Sequence, residues 1–174
     1  MDKVTAYEKS VGEIRSLLQG ETHQMLKMAT IVCVLKTNLP YYFWTGFYLV
    51  DNGELVVGTY QGTLGCLHIA FGRGVCGMAA KLQRSIIVPD VSTFPGHIAC
   101  DSKTKSEIVI PVFNPSKELI AVFDVDSLEL NSFDATDRKY LRAIFREHFT
   151  LTKRAPIVAK LNHLEHNIKE DSNV

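Results

Sequence analysis

The sequence predicts an α+β fold, a mainly antiparallel sheet flanked by helices. Two observations carry that expectation. Apolar residues recur at helical spacing over the first 38 residues and again after Asp134, and the middle of the chain reads as strands joined by turn-forming residues. No internal repeat, low-complexity segment or clear domain boundary interrupts the 174 residues. One domain over about residues 1–150 with a helical extension over 151–174 is therefore expected.

In chain order, Val4, Tyr7, Val11, Ile14, Leu17 and Leu18 form the stripe of a first helix that Gly20 ends. A second runs from about Thr22 through Met25, Leu26, Met28, Ala29, Val32 and Cys33 to near Asn38. Phe43 to Val50 reads as a strand, Asp51-Asn52-Gly53 as a hairpin turn and Leu55 to Tyr60 as the partner strand. Gly62, Gly65, Gly72, Gly74 and Gly77 crowd the next stretch, which implies backbone running close to another group. A short helix from about Val75 to Leu82 leads to the strand Ser85 to Val88. Past a polar loop, Glu107 to Phe113 and Glu118 to Asp126 form a second hairpin around Asn114-Pro115-Ser116-Lys117. Asp134, with Asp137 three residues on, fits a helix start before Tyr140, Leu141, Ile144 and Phe145. In the tail, Ile157, Val158, Leu161, Leu164 and Ile168 outline an amphipathic helix with Pro156 near its start.

Composition narrows the function classes. Acids and bases balance at 19 each, and the pI is near 7.0, so neither nucleic acid nor membrane is expected as a partner. No basic-then-apolar leader opens the chain, and no apolar run approaches the roughly 18 residues of a membrane span. A cytoplasmic protein is expected, in which the four cysteines read as free, metal-bound or catalytic thiols.

One of them sits where packing does not explain it. Cys100 follows Pro95-Gly96-His97-Ile98-Ala99 and precedes Asp101 and the polar run Ser102 to Ser106, whereas a cysteine used as core filler sits in an apolar periodic run. His97, Lys103 and Lys105 offer positive charge that favours its nucleophilic thiolate. Cys33, in the stripe of the second helix, reads as core filler. Cys66 follows Gly65 on a short strand, where burial is the simple reading. Cys76 lies near a helix N-terminus that would lower its pKa, and packing under that helix fits equally well.

The strand Leu119 to Asp126 ends in two acids two residues apart, which share a face. If Phe113 pairs with Glu118 across the turn, Glu107 lies opposite Asp124, and three carboxylates occupy one patch of sheet. Like charges placed so destabilise a ladder. Either one acid holds a proton, its pKa raised, or a cationic ligand group sits among them. A different hairpin register, or neutralisation by nearby Lys and Arg, is the structural alternative. Cys66-x-His68 and His97-x-x-Cys100 could supply zinc ligands, but the spacing matches no zinc ribbon or finger and leaves the acids unexplained. Neither a nucleophile elbow nor a phosphate loop occurs.

Several motifs occur in order: Trp44-x-Gly46-Phe47-Tyr48, Gln61-Gly62-x-x-x-Cys66, Gly72-Arg73-Gly74-Val75-Cys76-Gly77, Gly96-His97-Ile98-Ala99-Cys100-Asp101, Ser106-Glu107-Ile108-Val109 and Asp124-Val125-Asp126-Ser127. Taken together over about residues 5 to 150, they closely resemble the free methionine-(R)-sulfoxide reductases, a family of GAF-domain enzymes. Thr59-Tyr60, Thr63, Gly65 and Ala121 depart from the family's usual residues, and none of these changes removes a cysteine or a carboxylate.

The resemblance implies a GAF-like sheet of about six strands and a definite chemistry. Cys100 is the attacking cysteine, Cys66 its resolving partner, and Cys76 an alternative or relay thiol. The resulting disulfide is reduced by thioredoxin, with electrons ultimately from NADPH and no bound cofactor or metal. Among Glu107, Asp124 and Asp126, a protonated acid serves as general acid to the sulfoxide oxygen and ionised members bind the substrate's α-ammonium. Trp44 and Tyr48 form an aromatic wall against the S-methyl group, or pack as core. A homodimer is a further expectation. The rival reading is a non-catalytic GAF sensor holding a small effector in the same pocket.

Overall fold

The computed structural model describes residues 2–98 and 100–151; the tail helix expected through Ile157 and Ile168 lies outside them. Helix α1 (Lys3–Leu17) starts where the Asp2 side chain accepts from the Thr5 amide at 3.1 Å, and α2 (Gln24–Asn38) follows. Strands β1 (Trp44–Asp51) and β2 (Glu54–Gln61) form the first hairpin. Its turn places Asn52 at φ 46° and Gly53 at φ 86°, the left-handed pair that suits the twist of a tight hairpin. Then come β3 (His68–Ala70), α3 (Gly74–Leu82), β4 (Ile86–Val88), β5 (Ser106–Phe113), β6 (Leu119–Ser127) and α4 (Ala135–Phe145).

The strands pair antiparallel in the order β3-β2-β1-β6-β5-β4, one six-stranded sheet. Its two faces differ. Phe47, Ile108, Ile110, Val112, Phe123 and Val125 point into a core roofed by α1, α2 and α4. The opposite face, with Trp44, Tyr48, Val109 and Val122, lies under α3 through Val75, Cys76, Ala79 and Ala80. The functional residues lie on this second face.

Two details depart from the helical stripes. Val4 and Leu17 are exposed, and α1 instead buries Ala6, Tyr7, Ser10 and Ile14. Cys33 is also exposed, which corrects its reading as core filler: α2 buries Met28, Ile31, Val32, Val34 and Leu35. A helix apolar on most of its circumference does not reveal from sequence which arc faces inward.

The predicted start of α4 is present as a reciprocal capping box between Asp134 and Asp137. Asp137 does more than cap. Fully buried, it accepts from the Tyr7 hydroxyl at 2.9 Å, the Tyr41 hydroxyl at 2.6 Å and the Lys3 ammonium at 2.6 Å, tying α1 and the β1 entry to α4. Asp137→Ala takes that acceptor from both tyrosine hydroxyls, while Lys3 keeps the Asp134 carboxylate and the Ser132 carbonyl. Urea denaturation is expected to show a loss of about 1–3 kcal/mol, and a loss no larger than that of a surface substitution would refute the hub role.

Candidate active site

Hairpin register sets the site. Glu107 pairs with Asp126, and Val109 with Asp124, which corrects the expected Glu107–Asp124 pairing. The reason is at the turn: Phe113 pairs with Leu119 rather than Glu118, and an irregularity between Val112 and Phe113 adds one more residue to β6. The total slip is two residues, so the three acids keep a common face; a slip of one would have sent two of them to the opposite side. Across β1 the same face continues, with Trp44 opposite Asp126 and Gly46 opposite Asp124.

The acids are sunk beneath α3. Glu107 and Asp124 are each 5% exposed, and Asp126 is half-buried. Burial pushes the Glu107 carboxyl well above its ordinary range, and the charges of Asp124 and Asp126 push it further. Burial likewise raises Asp124, to about 7, and raises Asp126 well above its usual value. Oδ1 of Asp124 is buried with no hydrogen-bond partner. Neutralising lysines or arginines, the structural alternative, are not among the groups that shift these acids; Arg73 reaches the cavity rim. The cluster holds protons or awaits a cation.

Above it lies a small cavity of about 30 Å³, lined by Tyr48, Arg73, Cys76, His97, Cys100 and the three acids, with further backbone from the start of α3. Tyr48 reaches it; Trp44 stands behind, stacked on Tyr48 with ring centroids 5.7 Å apart. This indole accounts for the first two glycines of the glycine-rich run. A side chain at Gly62 or Gly65 would crowd Trp44, whose Nε1 donates to the Thr63 carbonyl at 2.9 Å.

Cys66 and Cys100 are joined in a disulfide, their Cα atoms 5.2 Å apart. Cys66 sits in an irregular segment before β3, not on a strand as expected. The two loops also meet through Asp101, whose carboxylate accepts from the Thr63 hydroxyl at 2.7 Å and the Lys103 amide at 2.8 Å. The Thr63 bond is the main reason its pKa is lowered. Only its place beside Cys100 could have suggested this latch, and nothing in the sequence pointed to Thr63 as partner. His97 lines the cavity, where burial lowers its pKa and so disfavours the expected positive charge; Lys103 and Lys105 are exposed and do not line the cavity.

Cys76 is a free, buried thiol with Sγ 3.8 Å from Glu107 Oε1. The helix N-terminus does not activate it: burial first, then the three carboxylates, push its pKa well above the usual thiol value. The four residues weighed for zinc do not come together, since two form the disulfide and His68 pairs at the surface with Glu54. The metal-capable group among the described residues is instead Cys76, Glu107 and Asp124, one ligand atom of each within 4.8 Å of the others. No helix among the described residues is long and apolar enough to cross a membrane.

The arrangement puts a disulfide, through Cys100, beside a cavity floored by three carboxyls whose pKa values burial raises. Comparison with known proteins agrees with that chemistry. The GAF domain family model matches residues 37–146. The chain is 48% identical over 145 residues to GAF domain-containing protein A of Dictyostelium discoideum, covering 83% of this chain and 90% of that one. It is 36% identical over 144 residues to the free methionine-R-sulfoxide reductase of Escherichia coli strain K12, covering 83% and 87%. The solved structure of the free methionine-R-sulfoxide reductase from Neisseria meningitidis in complex with its substrate superposes with a TM-score of 0.80 at 42% identity, over 84% of this chain and 87% of that one.

The raised carboxyl pKa values have a stability signature. In the unfolded chain these acids ionise near pH 4, as ordinary carboxyls do. The folded protein keeps their protons to higher pH, so it binds more protons than the unfolded chain, and stability falls as pH rises toward about 7 for Asp124. Asp124→Asn removes that titration. The variant is expected to exceed the parent in stability by about 1 kcal/mol or more near pH 8 and to lose the advantage near pH 4. Urea midpoints at the two pH values test this, and a pH-independent difference would contradict it.

Proposed function

The chain belongs to the GAF-domain family, among its free methionine-R-sulfoxide reductases, and on that premise we propose that it reduces free L-methionine-(R)-S-oxide to methionine with Cys100 as nucleophile and Cys66 as resolving thiol. The observation that carries the reading is the Cys66–Cys100 disulfide, whose Cys100 lines one cavity with Glu107, Asp124 and Asp126. A non-catalytic sensor has no use for that pairing of a redox bond with an acid cluster.

The chemistry balances on these groups. The Cys100 thiolate attacks the sulfoxide sulfur while a protonated member of the cluster gives its proton to the oxygen. The hydroxyl passes from the methionine sulfur to the Cys100 sulfur, the transient sulfur–sulfur bond breaks, methionine leaves with that electron pair, and Cys100 becomes a sulfenic acid. The Cys66 thiol attacks that sulfur, water departs, and the disulfide forms. An external dithiol, thioredoxin by class, restores both thiols with two electrons that derive from NADPH. Cys76 is poorly suited to resolve, because its buried thiol holds its proton.

Substrate choice follows from the same charges. An ionised acid beside a protonated one binds the free α-ammonium, a charge that a peptide-bound methionine sulfoxide lacks. Tyr48 supplies apolar surface for the S-methyl group, and Trp44 fixes Tyr48 by stacking.

Methionine release from free (R)-sulfoxide, with thioredoxin, thioredoxin reductase and NADPH, is the direct assay, run beside the (S)-epimer and a peptide-bound sulfoxide. Activity on the free (R)-epimer alone is expected; equal turnover of all three would overturn the ammonium argument. Cys100→Ser is expected to abolish turnover. Cys66→Ser is expected to release about one equivalent of methionine and then stall, since thiol resolution needs a partner. Normal cycling of that variant would transfer the resolving role to Cys76. Glu107→Gln or Asp126→Asn should slow the reaction by more than about tenfold, within the range of general acid catalysis, and unchanged rates would make the cluster structural.

A further inference from the structure

The bridge must be opened by something that touches it, and the surface around Cys66 is unusual. Leu64 is 72% exposed and Leu67 58% exposed, so two of the most exposed large apolar side chains flank the redox sulfur. A single exposed leucine needs no explanation, whereas two within four residues, one on each side of a bridge cysteine in sequence, call for one. Nor is this a floppy segment whose leucines could fold inward. The backbone is held at three points: the Thr63 carbonyl accepts from Trp44 Nε1 at 2.9 Å, Gly65 packs against the Tyr48 and Trp44 rings, and the Leu67 carbonyl accepts from the Val57 amide at 3.0 Å. The chain is fastened on its inner side, which holds both leucine side chains out in water.

The two sulfurs are not equivalent. Cys100 lines the cavity with Glu107, Asp124 and Asp126, whereas Cys66 does not line it. Cys66, half-buried on the loop between the two leucines, is reached without entering the cavity, whereas Cys100 faces into it.

We propose that Leu64 and Leu67 are the docking surface for the protein dithiol that reduces the bridge, and that its thiolate attacks the sulfur of Cys66. This rests on the reading above that the bridge is the product of turnover. The partner's chemistry follows from contact: a redox protein of the thioredoxin class with an apolar rim around its thiols. Its attacking sulfur bonds to Cys66, the Cys66–Cys100 bond breaks, and Cys100 leaves as a thiolate. The partner's second thiolate then displaces Cys66 and closes the partner's own disulfide. Cys100 is thus released toward the cavity in its nucleophilic form.

The test uses the full-length oxidised protein without sulfoxide, so it does not depend on reductase activity. The second-order rate of bridge reduction is measured with reduced thioredoxin and, separately, with dithiothreitol. In the double variant Leu64→Ser, Leu67→Ser the thioredoxin rate is expected to fall about tenfold, as for loss of a small interface hot spot, while the dithiothreitol rate stays unchanged. A thioredoxin whose resolving cysteine is replaced by serine should stall as a mixed disulfide that peptide mass spectrometry places on Cys66. An unchanged thioredoxin rate, a parallel fall with both reductants, or an adduct on Cys100 would overturn the proposal. So would a parent bridge that thioredoxin cannot reduce, an outcome that leaves sulfoxide reduction by small thiols standing.

Discussion

Three carboxylates on one buried sheet face are the constraint from which the rest of this molecule follows. In water such groups would be ionised and would repel one another. Placed beneath α3, they are deprived of solvent, and burial outweighs every other influence on their titration. The acids therefore keep their protons to higher pH than free carboxylates do, and a cationic group placed among them would relieve the ionised form. In the proposed reaction, an acid for the sulfoxide oxygen and a counter-charge for the amino group would be two uses of one electrostatic tension.

Holding such a cluster requires a scaffold that does not yield. The acids sit on β5 and β6, among the inner strands of the sheet, with β1 beyond. The far face of those strands is sealed by an aromatic and aliphatic core in which Phe47, Phe123 and Phe145 interlock. Gly77 lets α3 lie down on this side, because a side chain there would strike the Ala70 carbonyl. Gly46 leaves the place opposite Asp124 unfilled for similar reasons: its neighbours are the Tyr60 side chain and the Trp44 ring. Asp137, on the other side of the molecule, pins the helical layer by accepting from three side chains.

Much of this was legible before any coordinates. Among the described residues, period-two and period-3.6 patterns located the helices and both hairpins within a few residues, and the Asp-Asn-Gly turn was unambiguous chemistry. The shared face of Glu107, Asp124 and Asp126 was also readable, because parity along a strand survives a register slip of two even though the assumed partner does not. What stayed hidden depends on the third dimension. Cys33 looks buried only if the wrong arc of α2 faces inward. The thiol of Cys76 looks activated by a helix end until burial is counted, and a one-dimensional pattern carries no desolvation. The Asp101–Thr63 latch joins residues 38 apart in sequence, and no local signal connects them.

The Cys66–Cys100 bond has a consequence beyond chemistry. It closes a ring of chain with a sequence separation of 34, inside which lie β3, α3 and β4. Cross-linking a loop of that size removes roughly 3–4 kcal/mol of conformational freedom from any opened state in the chain-entropy description. The molecule is accordingly at its most robust when spent and at its most pliant when recharged. In the proposed reaction each round would also fasten and unfasten the ring of chain that carries α3 over the acids. Oxidative surroundings, which generate the substrate, thus also favour the sturdier form of the protein that consumes it.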